Sequence, residues 1–458
     1  MFCLKMQTSF CNMKKLSRFF IIISTLISSN IGFAQVRTDS LPRLVSLKQC
    51  IEYALRNQPV VRQAAIDEQI NERDIRIGLS GWLPQVSTAG SYQHYFEGSA
   101  PSSSTGNNNS SGSGTNIRNL STLGLQANQV IFNNDVFLAS KTAKYSREYY
   151  KENAFSSQVN VVADVSKAFF DVLLSQKQLN IISEDIVRLQ RSLKDAYNRY
   201  QAGVSDKTDY KQATIALNNS LASRKQIEET IKSKQAYLKQ IMGVTIPGSL
   251  NLAYDSTRYA QETYIDTNQA LDVNNRIEYR LLQTKKTLQN LNVNYYRYGF
   301  LPSISAFGDY NLVYFNHDFS NLYGRSYPNA YAGISLNLPI FQGTRRLQNL
   351  SKARLQVNRV DLDIENTRNT INTQYVQALA SYKSNYTNLQ LIQQNVQLAT
   401  DVYKVVSLQY REGIKTYLDV IIAQSDLRTA ELNYYNSLFQ VLSSKIDLEK
   451  SLGVLAVQ

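Results

Sequence analysis

The sequence predicts an α+β membrane protein built from two internal structural repeats, each with a β-hairpin and a pair of long helices. Three observations predict this class: motifs that recur after roughly 210 residues, strands with a period of two, and helical seams of unusual length. Each repeat is far longer than a solenoid unit, so the chain is a duplicated half-protein and not an array.

The second half of the chain repeats motifs of the first half in the same order. The recurring pairs include Gly81 and Gly299, Pro84 and Pro302, Gly124 and Gly333, Tyr200 and Tyr410, Gly203 and Gly413, Asp209 and Asp419, and Gly243 and Gly453. Because the order is kept, we expect the two halves to be related by a pseudo-twofold axis.

The N-terminus has the organisation of a secretory signal peptide. Basic residues precede an apolar run at 19–31, and Gly32 and Ala34 supply the small residues that signal peptidase reads. We therefore expect residues 1–34 to be removed and the mature chain to begin at Gln35. The alternative, a retained membrane anchor, is disfavoured because the run is short for a span.

Charge and cysteine content exclude some functions. The net charge is +13, and it falls to +9 without residues 1–34, which hold four basic residues and no acidic ones. The remaining basic residues are scattered along helical segments, so we expect no nucleic-acid partner. Cys50 is the only cysteine of the predicted mature chain, which leaves no intramolecular disulfide.

Two helical segments are exceptionally long. No Pro or Gly interrupts 134–201 or 344–411. Apolar residues in each follow the 4-3 spacing of coiled-coil packing, from Val161 to Tyr200 and from Ile371 to Tyr410. At ~1.5 Å per residue each segment predicts a rod of roughly 100 Å.

Each long helix ends in a short reversal that contains a glycine, at 202–205 and 412–415. A glycine just past a helix end can adopt the left-handed conformation that caps it. We therefore predict return helices at 206–242 and 417–452.

Shorter helices are predicted before the strands. One covers 47–80 with a break at Pro59, and the other covers 267–298. The segment 244–266 holds Pro and Gly and lacks periodicity, so it separates the repeats. The predicted organisation is a first repeat at 35–243, an inter-repeat segment at 244–266 and a second repeat at 267–458.

The strands occur in two hairpins, at 83–132 and 301–341, and alternate between apolar and polar side chains. Segments of about ten residues with this alternation and aromatic ends are typical of bilayer-spanning strands. The alternative is an amphipathic sheet over a soluble core. The export signal and the tyrosine-rich ends favour the membrane. The loop at 99–116, rich in Ser, Gly and Asn, is expected in solvent.

Four strands per chain determine the oligomeric state. Lipid offers no hydrogen bonds to a sheet edge, so a membrane sheet must close into a barrel. Since the smallest barrels use about eight strands, we expect the chain to share a barrel with other copies of itself.

Both repeats have the order strand, hairpin, strand, very long helix, glycine turn and return helix, with paired motifs at the turns. These motifs are Tyr200-Gln-Ala-Gly203 followed by Asp209, and Tyr410-Arg-Glu-Gly413 followed by Asp419. The order of all these features resembles that of the TolC family of outer-membrane efflux proteins, also called outer membrane factors. The resemblance covers essentially the whole mature chain. It implies a homotrimer whose twelve strands form one outer-membrane β-barrel, continued by a long α-helical periplasmic barrel. Segment 244–266 would belong to the equatorial belt.

The resemblance also implies the function and partners. Such a protein lies in the outer membrane of a Gram-negative bacterium, surrounded by outer-membrane lipid, and extends into the periplasm. It is the passive exit channel of a tripartite efflux or type I secretion system. Its partners are a periplasmic adaptor, or membrane fusion protein, and an inner-membrane pump of the RND, ABC or MFS type.

The resemblance assigns residues to two sites at the helix turns. The adaptor-docking tip would comprise Gly203, Val204, Ser205, Gly413 and Ile414. The periplasmic gate would comprise Thr208 and Asp209 from the first repeat with Tyr410, Lys415 and Asp419 from the second. Asp419 would form an acidic ring that favours cations, although Ile422 occupies a second acidic position of the family. Lys415 would occupy a place where the best-known member of the family carries an arginine. A bidentate clamp would then become a point-charge contact, which would weaken the closed state. The alternative role for both aspartates is helix-dipole stabilisation.

Enzyme chemistry is poorly supported by the sequence. The histidines, His94 and His317, lie near strand ends, and we find no phosphate loop, metal-ligand spacing or thiol pair. We therefore expect no catalytic activity, no cofactor and no metal. The rival class is an exported coiled-coil scaffold or adhesin-like rod without a pore.

Overall fold

The computed structural model describes residues 44–97, 117–244, 250–253, 259 and 261–457. The predicted signal peptide, the predicted loop at 99–116 and part of the inter-repeat segment fall outside the described residues. The elements given below belong to one unit that begins at Leu44.

The described elements follow the order helix, hairpin, long helix and return helix twice. The first set comprises α1 (Leu47–Asn57), α2 (Pro59–Ser80), β1 (Gln85–His94), β2 (Asn119–Phe132), α3 (Asn134–Gln201) and α4 (Lys207–Met242). The second set comprises α5 (Ile277–Tyr298), β3 (Ser303–Asn316), β4 (Tyr327–Asn337), α6 (Arg345–Arg411) and α7 (Tyr417–Leu452), with 3-10 turns at Val273–Asn275 and Phe319–Gly324.

The helix before the second hairpin is shorter than predicted. It was expected from 267, but α5 begins at Ile277. Two aspartates explain the difference, because each accepts a hydrogen bond from a backbone N–H two residues on. Asp266 accepts from Asn268 at 2.9 Å, and Asp272 accepts from Asn274 at 3.0 Å. Such turns compete with helix formation, so the chain becomes helical only after them.

Both return helices end in the same way. Gly243 and Gly453 have φ of 72° and 74°, the left-handed conformation that closes a helix. A Cβ on Gly243 would lie 2.6 Å from the carbonyl oxygen of Asn57, and one on Gly453 would lie 2.7 Å from that of Asn275. Each glycine therefore lets its return helix end in close contact with an early part of the same set of elements, at Asn57 for Gly243 and at Asn275 for Gly453.

The four strands form one antiparallel sheet in the order β1-β2-β3-β4. The register is continuous from β1 to β4, with an irregularity in β2 between Val130 and Phe132. Within the described residues β1 and β4 each pair on one side only, so the sheet has two open edges.

The register gives the sheet two chemically different faces, because directly paired residues project to the same side. Val86 pairs with Ala127, which pairs with Gly308, and this row lies on the apolar face. The apolar face carries Val86, Leu123, Leu125, Ala127, Ile304, Ala306, Tyr310, Leu312, Ile334 and Leu336. The opposite face carries Ser87, Gln126, Asn128, Asp309, Asn311, Asn329 and Ser335, with Phe307 and Tyr331 among them.

The helical core is centred on α3. The predicted seam of α3 is mostly buried, with Val165, Val172 and Ala196 fully inaccessible. The seam of α6 is buried or half-buried, with Ile371, Tyr382 and Leu389 buried, and the helix packs mainly against α7. Among the described residues, no helix has both the length and the apolar composition needed to cross a bilayer.

Candidate functional site at the paired helix turns

The α3–α4 and α6–α7 reversals are built alike. Gly203 and Gly413 have φ of 72° and 78°. In the first turn the N–H of Val204 donates to the carbonyl of Arg199 at 2.9 Å. In the second the N–H of Ile414 donates to that of Gln409 at 2.8 Å. These bonds satisfy carbonyls that would otherwise be unpaired at the helix ends, so both reversals are tightly defined.

Each turn presents one large apolar side chain to its surroundings. Val204 is 72% exposed and Ile414 is 71% exposed. No atom lies within 4 Å of a Cβ built on Gly203 or Gly413, so the chain leaves space around both glycines. Ser205 is half-buried, and its hydroxyl has no hydrogen-bond partner among the described residues.

A small aromatic cluster holds the two turns side by side. Its buried centre is Ala196 of α3, Ala213 of α4 and Tyr417 of α7. Tyr410 packs against Tyr417 with ring centroids 5.7 Å apart, and the Arg199 guanidinium lies 4.5 Å from the centre of the Tyr410 ring. Because these residues come from all four long helices, the cluster couples the two turns of the chain.

The return helices begin with different caps. At α7 the Thr416 hydroxyl accepts from the N–H of Asp419 at 3.3 Å. The Asp419 carboxylate accepts from the Thr416 N–H at 2.9 Å and from its hydroxyl at 2.8 Å. At α4 the Asp206 carboxylate accepts from the N–H of Thr208 at 3.3 Å. Asp419 therefore completes a capping box, whereas Asp209 lies in the first turn of a helix that another aspartate caps.

This environment keeps Asp419 ionised. The hydrogen bond from the Thr416 hydroxyl lowers the pKa of Asp419 most, followed by that from the Thr416 N–H, and the positive charge of Lys415 adds to the shift. The carboxylate lies at the N-terminus of α7, where a negative charge complements the helix dipole. Asp419 therefore has the helix-dipole role weighed in the sequence analysis and in addition caps α7, and its gate role stays a prediction.

The predicted gate link does not form within one chain. Among the described residues, no hydrogen bond joins Tyr410 or Lys415 to Thr208 or Asp209, and the buried Tyr410 hydroxyl has no partner. Asp209 is nevertheless close by. Burial raises the pKa of Tyr410 most, Asp209 adds to this shift, and Arg199 opposes it.

Tyr417 is a second buried phenol at the cluster. Its side chain is only 2% exposed, and burial raises its pKa. Ser192 approaches the Tyr417 hydroxyl without meeting hydrogen-bond geometry. The cluster therefore holds two buried hydroxyls, those of Tyr410 and Tyr417, that are unpaired within the described part of the chain. Buried hydroxyls normally have a hydrogen-bond partner, so these two are exceptions.

A buried polar network further along α3 was missed by the sequence analysis. Asp185 is 1% exposed and accepts from Gln424 Nε2 at 2.8 Å, from Ser220 Oγ at 3.0 Å and from Arg428 Nη1 at 3.2 Å. The network links α3, α4 and α7. The signal in the sequence was the position of Asp185 between Ile182 and Ile186, two residues of the predicted apolar seam.

Metal or covalent chemistry is not indicated by the described side chains. Among them, no group of three or more His, Cys, Asp or Glu could hold a metal ion. Cys50 is fully buried, and burial raises the pKa of its thiol to about 12, so it stays protonated at neutral pH.

Comparison with known proteins identifies the class. The sequence matches the family described as outer membrane efflux protein over residues 50–244 and 269–454. Outer membrane protein TolC of Vibrio cholerae is 21% identical over 421 residues, which cover 90% of this chain and 92% of that protein. The probable efflux pump outer membrane protein TtgC of Pseudomonas putida is 24% identical over 420 residues, with coverages of 89% and 83%.

Solved structures share the fold. CusC superposes with a TM-score of 0.71 at 19% identity, covering 90% of this chain and 93% of that one. The open-state MtrE outer membrane channel of Neisseria gonorrhoeae superposes with a TM-score of 0.68 at 19% identity, with coverages of 90% and 89%.

Since the family matches most of the sequence, the chain belongs to the outer membrane efflux proteins. It is a channel protein of the outer membrane. The resemblance to the TolC family drawn from the order of elements in both repeats is thereby confirmed. The predicted fold class, with four strands per chain joined to long helices, is confirmed as well. These relatives do not support the rival class, a scaffold without a pore.

Proposed function

We propose that this chain is the exit duct of a tripartite efflux or type I secretion system. Substrates would pass through it passively from an inner-membrane pump and a periplasmic adaptor to the exterior. One observation carries the proposal: a four-stranded sheet with one apolar face and two open edges continues directly into two pairs of long helices. Such a sheet can form part of a β-barrel in the bilayer, and the long helices would continue the channel into the aqueous periplasm.

The open edges support assembly as a homotrimer. In lipid, the unpaired N–H and C=O groups of β1 and β4 need hydrogen-bond partners. Antiparallel pairing of β4 in one subunit with β1 in the next supplies them. Three subunits then close a barrel of twelve strands, which is within the size range of outer-membrane barrels.

The surface of α6 supports the same assembly. We define the α6 stripe as Leu355, Leu362, Val376, Leu391, Leu398 and Val405, all of which are more than half exposed in the single chain. These residues recur at intervals close to multiples of seven, the period of a coiled-coil seam. A long apolar stripe without a partner marks an interaction surface, and the neighbouring subunit is the partner that the closed barrel brings alongside.

The paired turns are the proposed docking tip for the adaptor. Val204 and Ile414 are the exposed apolar contacts, while Gly203 and Gly413 hold the reversals. The Ser205 hydroxyl is buried at the first turn and has no partner within the described chain. Small apolar knobs of this kind fit the grooves of a helical hairpin. The pump class and the cargo are not encoded in these residues.

The residues behind the turns are the proposed gate. Three copies of Asp419 would ring the axis and attract cations, whereas the exposed Ile422 adds no charge. Thr208, Asp209, Tyr410 and Lys415 would hold the closed tip through contacts that a single chain leaves unmade. We also infer that the chain catalyses no reaction, because the relatives it matches are channel proteins.

Two measurements test the proposal. Detergent-extracted protein is imaged by electron microscopy, and its conductance is recorded in planar bilayers. Threefold particles with a central lumen and stepwise cation-blocked conductance are the expected result. A monomer that stays soluble without detergent, or an assembly without a lumen, would overturn the proposal and favour the scaffold.

A further inference from the structure

The second hairpin does not end in a free loop. Its 3-10 turn, Phe319–Gly324, folds back onto the sheet, with the Phe319 ring edge-on to Tyr92 at 5.7 Å and the Tyr323 ring 5.2 Å from Tyr314. The Tyr323 hydroxyl lies 3.4 Å from the Ser121 hydroxyl. The turn therefore contacts three strands.

The strand register identifies the face that the turn covers. Tyr92 pairs with Ser121, and Ser121 pairs with Tyr314, so these residues form one cross-strand row. Two residues further along each strand, the next row is Gly90, Leu123 and Leu312. This row lies on the apolar face. The turn therefore rests on the apolar face of the sheet, at its hairpin end.

Buried groups fix the turn in this position. Leu322 of the turn is fully inaccessible. Asn119, which is 2% exposed, accepts from the Tyr92 hydroxyl at 2.7 Å and donates to the carbonyl of His317 at 2.8 Å. The Asn119 amide thus ties β1 and β2 to the residues that lead into the turn. A buried, satisfied amide of this kind gives the turn a defined position.

The turn leaves two aromatic rings uncovered. Phe319 and Tyr323 are each 61% exposed, although they extend an apolar surface. The backbone of the turn lies over the central strands β2 and β3, and the Phe319 ring reaches the edge strand β1. Subunits that pair at β1 and β4 therefore leave Tyr323, which packs on β3, uncovered. Aromatic rings at the end of an apolar strand face prefer the boundary between headgroups and acyl chains.

We propose that the turn Phe319–Gly324 is a lipid anchor that sits on the outside of the barrel. Phe319 and Tyr323 insert at the headgroup–acyl boundary of the outer leaflet and fix the depth of the barrel in the membrane. This inference rests on the proposed function, because it takes the apolar face to be the lipid-facing one. It also means that this hairpin folds away from the polar face, which would line the lumen.

Single tryptophans in lipid vesicles test the proposal. Trp82 is the only native tryptophan. In a Trp82→Phe background, Tyr323→Trp, Ile334→Trp and Tyr331→Trp are reconstituted separately as full-length assemblies. The vesicles contain lipids brominated either near the headgroup or near the chain end. Ile334 lies on the apolar face in mid-strand, and Tyr331 lies on the opposite face.

We expect Tyr323→Trp to be quenched about twofold more strongly by the shallow bromine than by the deep one, since aromatic anchors lie at the interface. Ile334→Trp should be quenched more strongly by the deep bromine, and Tyr331→Trp by neither. Phe319→Trp provides a second reporter of the turn if Tyr323→Trp fails to assemble.

The controls separate two kinds of failure. Suppose that bromolipids quench Ile334→Trp, whereas both turn reporters are quenched only by aqueous acrylamide. The lipid-anchor proposal is then overturned, and the proposed channel function is unaffected. If Ile334→Trp is not quenched, or if Tyr331→Trp is quenched in its place, the assignment of the apolar face fails. The proposed function then fails with it.

Discussion

The long helices α3 and α6 are almost equal in length but differ in what a single chain does with their apolar residues. On α6, nine large apolar residues are more than half exposed, whereas on α3 none is. Both helices lie wholly within the described residues. The α3 helix is covered by helices of its own chain, so it forms the interior of the protomer. The α6 helix needs other chains to complete its packing.

The two helices also differ in their polar contacts within the chain, and again α3 is the more fully packed. Asp185 of α3 is buried and bonded to α4 and α7, whereas Asn395, its counterpart in the second repeat, is exposed on α6. The first long helix thus has a fixed internal connection at this position. At the matching position of α6, the Asn395 side chain makes no hydrogen bond within the described part of the chain.

The largest expected effect is at Asp185. Asp185→Ala removes the acceptor of three hydrogen bonds and leaves the Arg428 guanidinium without its carboxylate. Breaking a buried ion pair in this way costs about 3–5 kcal/mol. We expect a large fall in the thermal unfolding midpoint of the purified protein, measured by intrinsic fluorescence.

Asn395→Ala is the matched control for Asp185→Ala. Because Asn395 is exposed, its loss should change stability by less than about 0.5 kcal/mol. Equal effects of the two substitutions would contradict the difference between the helices.

The second prediction concerns the α6 stripe. Leu391→Glu and Leu398→Glu place charges on a surface that would be buried between subunits, where an unpaired charge is costly. We expect the trimer fraction in detergent to fall at least about tenfold while the helix content is retained, as burial of each leucine contributes about 1.5–3 kcal/mol. Light scattering and circular dichroism measure the two quantities.

Gln393→Glu is the control for the α6 stripe, since Gln393 is exposed on a different side of the same helix. It adds the same charge but should leave the trimer intact. Dissociation by Gln393→Glu to the same extent would mean that charge alone, and not the stripe, weakens the assembly.

The third prediction compares the caps of the two return helices. Thr416→Ala removes the hydroxyl that caps α7 and should lower the free energy of unfolding by about 1 kcal/mol. It leaves the Asp419 carboxylate in place. Asp419→Asn removes the charge. If Asp419 belongs to the gate, Asp419→Asn lowers cation selectivity and block by multivalent cations in planar bilayers, and Thr416→Ala does not. Unchanged selectivity in Asp419→Asn would limit Asp419 to helix capping.

The pH dependence of this cap has a definite sign. The folded chain lowers the pKa of Asp419, first through the Thr416 hydroxyl, so the unfolded chain binds a proton more readily. The stabilisation from Asp419 is therefore complete above the ordinary pKa of an aspartate, and it is lost as the pH falls through the lowered value. In Thr416→Ala this acid-dependent loss of stability should be smaller.

The sequence was sufficient for features that depend on local pattern. Strand alternation and the glycine reversals at Gly203 and Gly413 are local, and they predicted the sheet and the paired turns. The α6 stripe was missed because its apolar residues and those of the predicted seam both follow a seven-residue spacing. The spacing alone does not show which of the two is covered by the same chain and which needs another chain. Asp185 was missed because its partners come from α4 and α7, whose contact only the fold establishes.

The smallest expected effect is at the unpaired phenols. Tyr410→Phe removes a buried hydroxyl that has no partner within the described chain. Its loss should therefore change protomer stability by less than about 0.5 kcal/mol. If the Tyr410 hydroxyl bonds Asp209 or Thr208 when the tip closes, as the gate proposal holds, the same variant raises single-channel conductance. Tyr417→Phe is the matched control, since its hydroxyl is equally buried and unpaired but lies outside the proposed gate. A rise in conductance with Tyr410→Phe alone supports the gate, and unchanged conductance in both variants removes Tyr410 from it.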